Sequence, residues 1–206
     1  MSTSANPIHT VLLCTVGGSH APIVRAIQES RADFVCFLCT GPDPETGRAG
    51  SDVQIEGKGH FIKADFKDER PTLPNIPTQC GLPADRYELR RVPSDDLDAI
   101  YAGCRAALAD LRQRHPGARI VADYTGGTKS MSAALVMAAI EAERVELQLV
   151  TGNRVDLVRV RDGAENAAPA NIEAIRLERR MQPYLNAWER HAYAEAEAGL
   201  RRWPRR

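Results

Sequence analysis

The residues best suited to chemistry lie together at 123–131, in the sequence Asp-Tyr-Thr-Gly-Gly-Thr-Lys-Ser-Met. The β-favouring run 118–122 precedes them, and the run 132–140, which follows, is helix-forming and apolar on nearly every face. The expected local structure is therefore a buried strand, a glycine turn and a buried helix.

This turn has the composition of an anion site. Gly126 and Gly127 allow the backbone to turn tightly and to approach a ligand closely. Thr128 can cap the helix and leave the amide groups of Lys129 and Ser130 free. The helix dipole and one ammonium group would then favour an anion, above all a phosphate. A plain strand-to-helix connection is the alternative, but a lysine at a helix start is disfavoured unless an anion is near.

A second unit of the same kind lies near the N-terminus. Residues 8–16 form a continuous apolar run typical of a strand buried on both faces, Gly-Gly-Ser-His follows at 17–20, and residues 21–30 have helical spacing. In a parallel sheet both glycine turns lie at the carboxyl edge, where such sheets bind ligands. Neither turn is a Walker A motif or a GxGxxG dinucleotide motif.

The remaining patterns complete an α/β fold. They predict strands at 33–40 and 86–92, a helix at 95–115 capped by Ser94, and a hairpin of strands 145–150 and 155–161 around a turn at 151–154. The predicted fold class is a Rossmann-like, doubly wound, mainly parallel sheet with a C-terminal antiparallel hairpin, followed by a C-terminal helical segment.

Two domains of unequal size are expected, at 1–163 and 164–206. The long aperiodic loop 41–83 within the first resembles a lid, with a short strand or hairpin at 53–62, and its candidate ligand contacts are Arg48, Lys58, His60 and Lys63. The second begins in a small, polar linker at 162–170 and continues as an amphipathic helix at 171–203, which Pro183 is expected to kink or divide.

The composition excludes several function classes. The 206 residues include 27 basic and 27 acidic side chains, so the formal charge is zero and no global field attracts long duplex nucleic acid. No secretory leader or membrane-spanning run is recognisable, which predicts a cytoplasmic protein without a membrane partner. Cys36 and Cys39 form a CxxC on a strand, where they point to opposite faces, so we expect core residues, no metal site and no cofactor.

The two glycine motifs resemble those of the CARF (CRISPR-associated Rossmann fold) family. The resemblance rests on Leu-Cys-Thr-Val-Gly-Gly-Ser at 13–19 and on the motif at 123–131, and it covers residues 8–161. It implies a homodimer whose loops form one symmetric pocket for a cyclic oligoadenylate, the second messenger of type III CRISPR antiviral signalling. Ring size does not follow from the sequence, although cyclic tetra-adenylate is the first candidate.

The resemblance also implies the site residues. The first loop would contribute Thr15, Gly17, Gly18, Ser19 and His20 to the ligand-binding pocket, and the second would contribute Thr125, Gly126, Gly127, Thr128 and Lys129. Lys129, Ser19 and Thr15 are the candidates for a catalytic role.

Two functions are consistent with this resemblance. In one, the protein is a ring nuclease that cleaves the messenger without a metal, by attack of a ribose 2′-hydroxyl on the neighbouring phosphate to give a 2′,3′-cyclic phosphate. In the other, it is a non-catalytic sensor for a partner or a missing effector domain. Residues 186–196 resemble the first helix of the effector region in longer relatives, but Arg190 and His191 lack the spacing of its ribonuclease motif. An unrelated nucleotide-binding Rossmann-like domain is the third possibility.

Overall fold

A computed structural model describes residues 7–57, 73–156 and 159–202. The chain divides into two compact units, Met1–Ala170 and Asn171–Arg206. The first contains the sheet and the helices around it, and the second contains two helices.

The first unit is built on a six-stranded sheet. Its strands are β1 (Thr10–Thr15), β2 (Phe34–Thr40), β3 (Tyr87–Val92), β4 (Arg119–Asp123), β5 (Val145–Asp156) and β6 (Arg159–Ala170). The order is β3-β2-β1-β4-β5-β6, with β1 to β5 parallel and β6 antiparallel to β5. The chain winds outward in one direction from β1 and in the other from β4. This arrangement confirms the predicted Rossmann-like, doubly wound fold.

Helices cover both faces of the sheet. Those of the first unit are α1 (Ala21–Ser30), α2 (Val53–Glu56), α3 (Ile76–Gln79), α4 (Leu97–Arg114) and α5 (Lys129–Glu141). Helices α1, α2 and α3 share one hydrophobic cluster with alternate residues of the central strands, such as Leu12 and Phe37. Helices α4 and α5 pack side by side on the opposite face. The central strand β1 is fully buried between the layers, as its unbroken apolar run predicts.

Two predictions near the carboxyl edge of the sheet are wrong in detail. Residues 53–56 form a turn of helix, whereas a strand or hairpin was predicted for 53–62. Helix α4 is capped by Asp96, whose side chain accepts a hydrogen bond from the Ala99 amide at 3.0 Å, and Ser94 lies before the cap. Within the predicted lid 41–83, Arg48 is exposed, and Lys58, His60 and Lys63 lie outside the described residues.

The hairpin is longer than its sequence pattern predicts. The predicted turn at 151–154 is part of β5, and the predicted linker at 162–170 is most of β6. Ala167 and Ala168 pair with Val150 and Leu149, so these small residues belong to a strand that their composition does not predict. Pro169 is tolerated because β6 is an edge strand, where a missing backbone donor removes no ladder hydrogen bond from the sheet interior.

The second unit consists of α6 (Glu173–Glu189) and α7 (Tyr193–Arg201). Pro183 was predicted to kink or divide this helix; α6 continues through it, so Pro183 does not divide the helix. The break occurs at His191, whose φ of 62° is left-handed and ends the helical path. The buried Ala187 and Ala196 lie in the two helices, and the rings of Trp188 and Tyr193 meet edge to face at 4.8 Å.

Cys36 and Cys39 are fully buried, which confirms their prediction as core residues. Among the residues that the structure describes, no cluster of three or more His, Cys, Asp or Glu side chains is arranged to hold a metal ion. None of the described helices combines the length and the apolar character needed to cross a membrane.

The β1–α1 turn (residues 16–20) and the β4–α5 turn (residues 124–128) are in backbone contact. A β-carbon built on Gly17 would lie 2.8 Å from the amide nitrogen of Gly127, and one built on Gly126 would lie 2.4 Å from the Thr15 carbonyl oxygen. Both distances are shorter than real contacts. A β-carbon on Gly18 would meet no atom within 4 Å, so packing requires a glycine at positions 17 and 126 but not at position 18.

We therefore predict that Gly17→Ala destabilises the protein by about 1 to 3 kcal/mol, the usual range for overpacking. Gly18→Ala is the matched control and should change the free energy of unfolding by less than about 1 kcal/mol. Chemical denaturation of the two variants measures both effects. Equal stability of the variants would contradict the backbone contact between the turns.

Candidate functional site: two glycine turns at the carboxyl edge of the sheet

The two turns lie side by side because β1 and β4 are neighbouring parallel strands. Cys14 and Asp123 are register partners near the ends of these strands. The position between β1 and β4 is also where the chain reverses its winding direction across the sheet. Open α/β sheets bind ligands at this kind of switch point.

The β4–α5 turn is held in shape by hydroxyl groups. The Gly126 carbonyl accepts hydrogen bonds from the Thr15 hydroxyl at 2.7 Å and from the Ser132 hydroxyl at 3.1 Å. Ser132 also donates to the Tyr124 carbonyl at 3.0 Å. These bonds draw two carbonyl oxygens of the turn toward the protein. Thr15 is fully buried, so its side chain holds the turn and is not exposed on a pocket surface.

The start of α5 presents backbone donors and a cation. Thr128 caps the helix as predicted, accepting from the Met131 amide at 3.2 Å and donating to the Ser94 carbonyl at 2.6 Å. The amides of Lys129 and Ser130 make no hydrogen bond within the described part of the chain, as expected for a first helical turn. The Lys129 side chain is exposed and has no partner among the described residues.

The β1–α1 turn contributes a more open surface. Gly18 and Ser19 are exposed, and the Gly18 carbonyl lies 3.5 Å from the Nε2 atom of the buried Gln54. The Nδ1 atom of His20 lies 3.1 Å from the Oε1 atom of Gln79. The Nε2 atom of Gln79 donates to the Pro74 carbonyl at 2.6 Å, which orients its Oε1 atom toward the histidine.

A buried carboxylate lies beneath the second turn. Asp123 is fully buried, and its Oδ1 atom accepts from the Thr125 amide at 2.9 Å. Its Oδ2 atom accepts from the Nε2 atom of Gln148 at 3.0 Å. Burial raises the pKa of Asp123 above its ordinary value, although the bonds from Thr125 and Gln148 oppose the shift. The Thr125 hydroxyl in turn accepts a hydrogen bond from the Val150 amide at 2.7 Å, which connects the turn to β5.

The structure thus sorts the predicted site residues into two groups. The exposed or half-exposed group consists of Gly17, Gly18, Ser19, His20, Thr125, Gly126, Gly127, Thr128 and Lys129, whereas Thr15 is buried. Thr15 and Thr125 make hydrogen bonds that fix the turns from below. The first group combines backbone donors, a helix N-terminus and an ammonium group, which together can hold an anionic group such as a phosphate.

Several supporting residues were not predicted from the sequence. Gln54 and Gln79 come from the loop 41–83, whose aperiodic sequence gives no indication of which side chains turn back to the first loop. Gln148 lies 25 residues after its partner Asp123. Ser132 bonds to carbonyl groups six and eight residues before it, farther back than the local pattern of helix serines, so its role had no local signal either.

Comparison with known proteins supports the fold. No protein-family model and no curated protein matches the sequence. The structure resembles that of Csm6 from Enterococcus italicus, solved bound to cyclic hexa-2'-fluoro-hexa-dAMP, with a TM-score of 0.62 and 12% identity over 93% of this chain and 48% of Csm6. Can2 from Sulfobacillus thermosulfidooxidans, solved with cyclic tetra-adenylate, gives a TM-score of 0.43 and 16% identity over 69% of this chain and 32% of Can2.

The chain spans less than half the length of Csm6. The similarity to Csm6 is one of fold, since identity is 12%. At that level it supports the predicted Rossmann-like fold, which this chain shares with Csm6.

Proposed function

We propose that this protein binds a cyclic oligoadenylate, with cyclic tetra-adenylate as the first candidate, at the two glycine turns of a homodimer and cleaves it as a ring nuclease. The observation that carries the proposal is the pairing of the turns at the switch point of the sheet, with the amides and ammonium group at the start of α5 exposed beside them. The shared fold with Csm6, which was solved with a cyclic hexanucleotide analogue, supports this ligand class.

The proposed ligand contacts divide by chemistry. The amides at the start of α5 and the ammonium group of Lys129 would bind phosphate oxygens, since each charge-assisted hydrogen bond contributes about 1.5 to 3 kcal/mol. Gly18, with open space around it, lets the backbone approach the ring closely. Ser19 and His20 would contact the sugar and phosphate from the other turn. The neutral overall charge is compatible with a small anionic ligand held by such a local site.

The outer face of α5 supports the homodimer. The sequence between Lys129 and Glu141 contains no charged residue, and Ala133 and Met137 are exposed on that face, with Met137 38% exposed. A helix that is apolar on nearly every face is normally buried all round. Because this face begins at Lys129, a second copy packed against it would bring a second lysine toward the same ligand.

Cleavage in this proposal breaks one phosphodiester bond, forms another and transfers protons. The 2′-oxygen of a ribose attacks the adjacent phosphorus, the bond to the 5′-oxygen breaks, and the leaving oxygen takes up a proton. The products are a linear strand with a 2′,3′-cyclic phosphate at one end and a 5′-hydroxyl at the other. The turns would hold the 2′-oxygen in line with the leaving group, and Lys129 with the helix amides would stabilise the added negative charge.

A sensor without catalysis is the second candidate. It is favoured by one observation, that the Thr15 hydroxyl is buried and already donates to the Gly126 carbonyl. That bond leaves Ser19 and Lys129 of the three predicted catalytic candidates. In the sensor, ligand binding would change the relative populations of two dimer conformations and so act on a partner.

Lys129→Ala should weaken binding of cyclic tetra-adenylate at least about tenfold, because it removes a charge-assisted bond worth about 1.5 to 3 kcal/mol. Lys129→Arg should recover much of the loss, and Arg112→Ala, which removes an exposed charge from α4, should have no effect. Isothermal titration calorimetry gives the three affinities. Unchanged affinity of Lys129→Ala would remove this residue from the site.

Incubation with cyclic tetra-adenylate or cyclic hexa-adenylate in EDTA separates the nuclease from the sensor. The nuclease converts a ring into linear products with a 2′,3′-cyclic phosphate, which chromatography and mass spectrometry identify. A ring that binds but stays intact at excess protein after prolonged incubation would establish the sensor instead.

Met137→Glu should convert the dimer into a monomer and weaken ligand binding, because it places a charge in the proposed apolar interface. Gln113→Glu, an equivalent change at an exposed position of α4, is the control and should leave the dimer intact. Sedimentation velocity at micromolar concentration measures both. A monomeric wild-type protein in the same experiment would exclude the symmetric pocket.

A further inference from the structure

Asp123 stands out as a buried carboxylate whose hydrogen bonds come from neutral donors. Its oxygens accept from the Thr125 amide and from the Gln148 side chain, and the Thr125 side chain also bonds to it. Among the described residues it takes part in no ion pair. A buried charge is normally paired with a cation, since neutral dipoles compensate only part of the cost of leaving water.

In the part of the chain that the structure describes, the elements around Asp123 supply no compensating charge. From β1, Cys14 faces it as a buried thiol whose pKa is raised well above the ordinary value, so this group is neutral. From β5, Gln148 is neutral. On α1, Arg25 and Glu29 pair with each other at 2.5 Å and extend toward β6, where they contact Asn166 and the Ala167 amide. Lys129 at the start of α5 is exposed to solvent.

Asp123 and the proposed ligand use the same short segment of backbone. The Thr125 amide donates inward to the carboxylate, whereas the amides of Lys129 and Ser130 at the start of the helix are left for a ligand. The carboxylate therefore fixes the turn that leads into the helix start, and it is a negative charge on the same turn as the proposed anion site. Charges separated by a few residues of buried backbone interact more strongly than charges in water.

We propose that Asp123 is a positioning residue that couples phosphate binding at the β4–α5 turn to the uptake of a proton. This inference rests on the proposed function, since it requires a phosphate at that turn. A bound phosphate disfavours the ionised carboxylate, so the complex holds a proton more tightly than the free protein does. The neutral carboxyl group still accepts the hydrogen bond of the Thr125 amide, and the shape of the turn is preserved.

The sign of the pH dependence follows from this linkage. Ligand binding raises the pKa of Asp123 above its value in the free protein, which burial has already raised above the ordinary one. The extra affinity is therefore fully present below the pKa of the free protein and is lost as the pH rises through the pKa of the complex. The size of the affinity change reports the size of the shift, since each pKa unit corresponds to a factor of about ten in affinity.

The test is calorimetric titration of the full chain with cyclic tetra-adenylate, between pH 5 and pH 8, in two buffers of different ionisation enthalpy. The wild-type protein should take up protons on binding in the pH interval where Asp123 titrates, and its affinity should fall as the pH rises through the pKa of the complex. Asp123→Asn keeps the acceptor for the Thr125 amide but cannot be charged. It should bind more tightly than wild type at pH 8 and lose the part of the proton uptake that belongs to Asp123, leaving any contribution of His20 in both proteins.

Gln148→Leu provides a second test that does not depend on the Asn variant. It removes a donor that stabilises the ionised carboxylate, so the midpoint of the affinity change should move to higher pH. Equal proton uptake by wild type and Asp123→Asn, or an unchanged midpoint in Gln148→Leu, would overturn the inference while leaving the binding function intact. Absence of binding by the wild-type protein at every pH would overturn the proposed function and this inference together.

Discussion

The hydrogen bond from the Thr15 hydroxyl to the Gly126 carbonyl joins two parts of the chain that are 111 residues apart. It connects the end of β1 to the turn that follows β4, and it accompanies backbone approaches that leave no room for a side chain at Gly17 or Gly126. The distance between the two turns is consequently set by contacts between backbone atoms and not by flexible side chains. A site built in this way is preorganised, which reduces the entropy that a ligand must remove on binding.

The sequence pattern predicted the elements whose hydrophobic residues have a clear period or an unbroken run. The strand β1 and the helix α1 are examples, because burial of both faces of a strand gives an unbroken apolar run and burial of one face of a helix gives a helical period. The alanines of β6 have no such signal. Alanine is small enough for either face of a sheet and is also compatible with a loop. The pairing of these residues with β5 therefore cannot be predicted from their own composition. Pro183 was the stronger local signal for a break, but α6 continues through it, and the left-handed His191 follows the end of the helix. A proline can therefore lie inside a helix without ending it.

The residue types of the site could be predicted from the sequence, but the role of each residue could not. Lys129 and Thr128 occupy the helix positions that their order in the sequence implies. Thr15 was expected to line the pocket; because β1 is covered on both faces, its side chain is buried, and its hydroxyl bonds to the Gly126 carbonyl. Gln54, Gln79 and Gln148 reach the two turns from distant segments. Such contacts depend on tertiary packing and have no local pattern.

The bond between the Thr128 hydroxyl and the Ser94 carbonyl links a third loop, the one between β3 and α4, to the start of α5. Its acceptor is a backbone atom, so any residue at position 94 can provide it. The side chain at position 128 must donate to this carbonyl and also accept the hydrogen bond that caps the helix. Position 94 is therefore free to vary in an evolving sequence, whereas position 128 is restricted to side chains that do both, such as serine, threonine or asparagine, as long as the three loops stay connected.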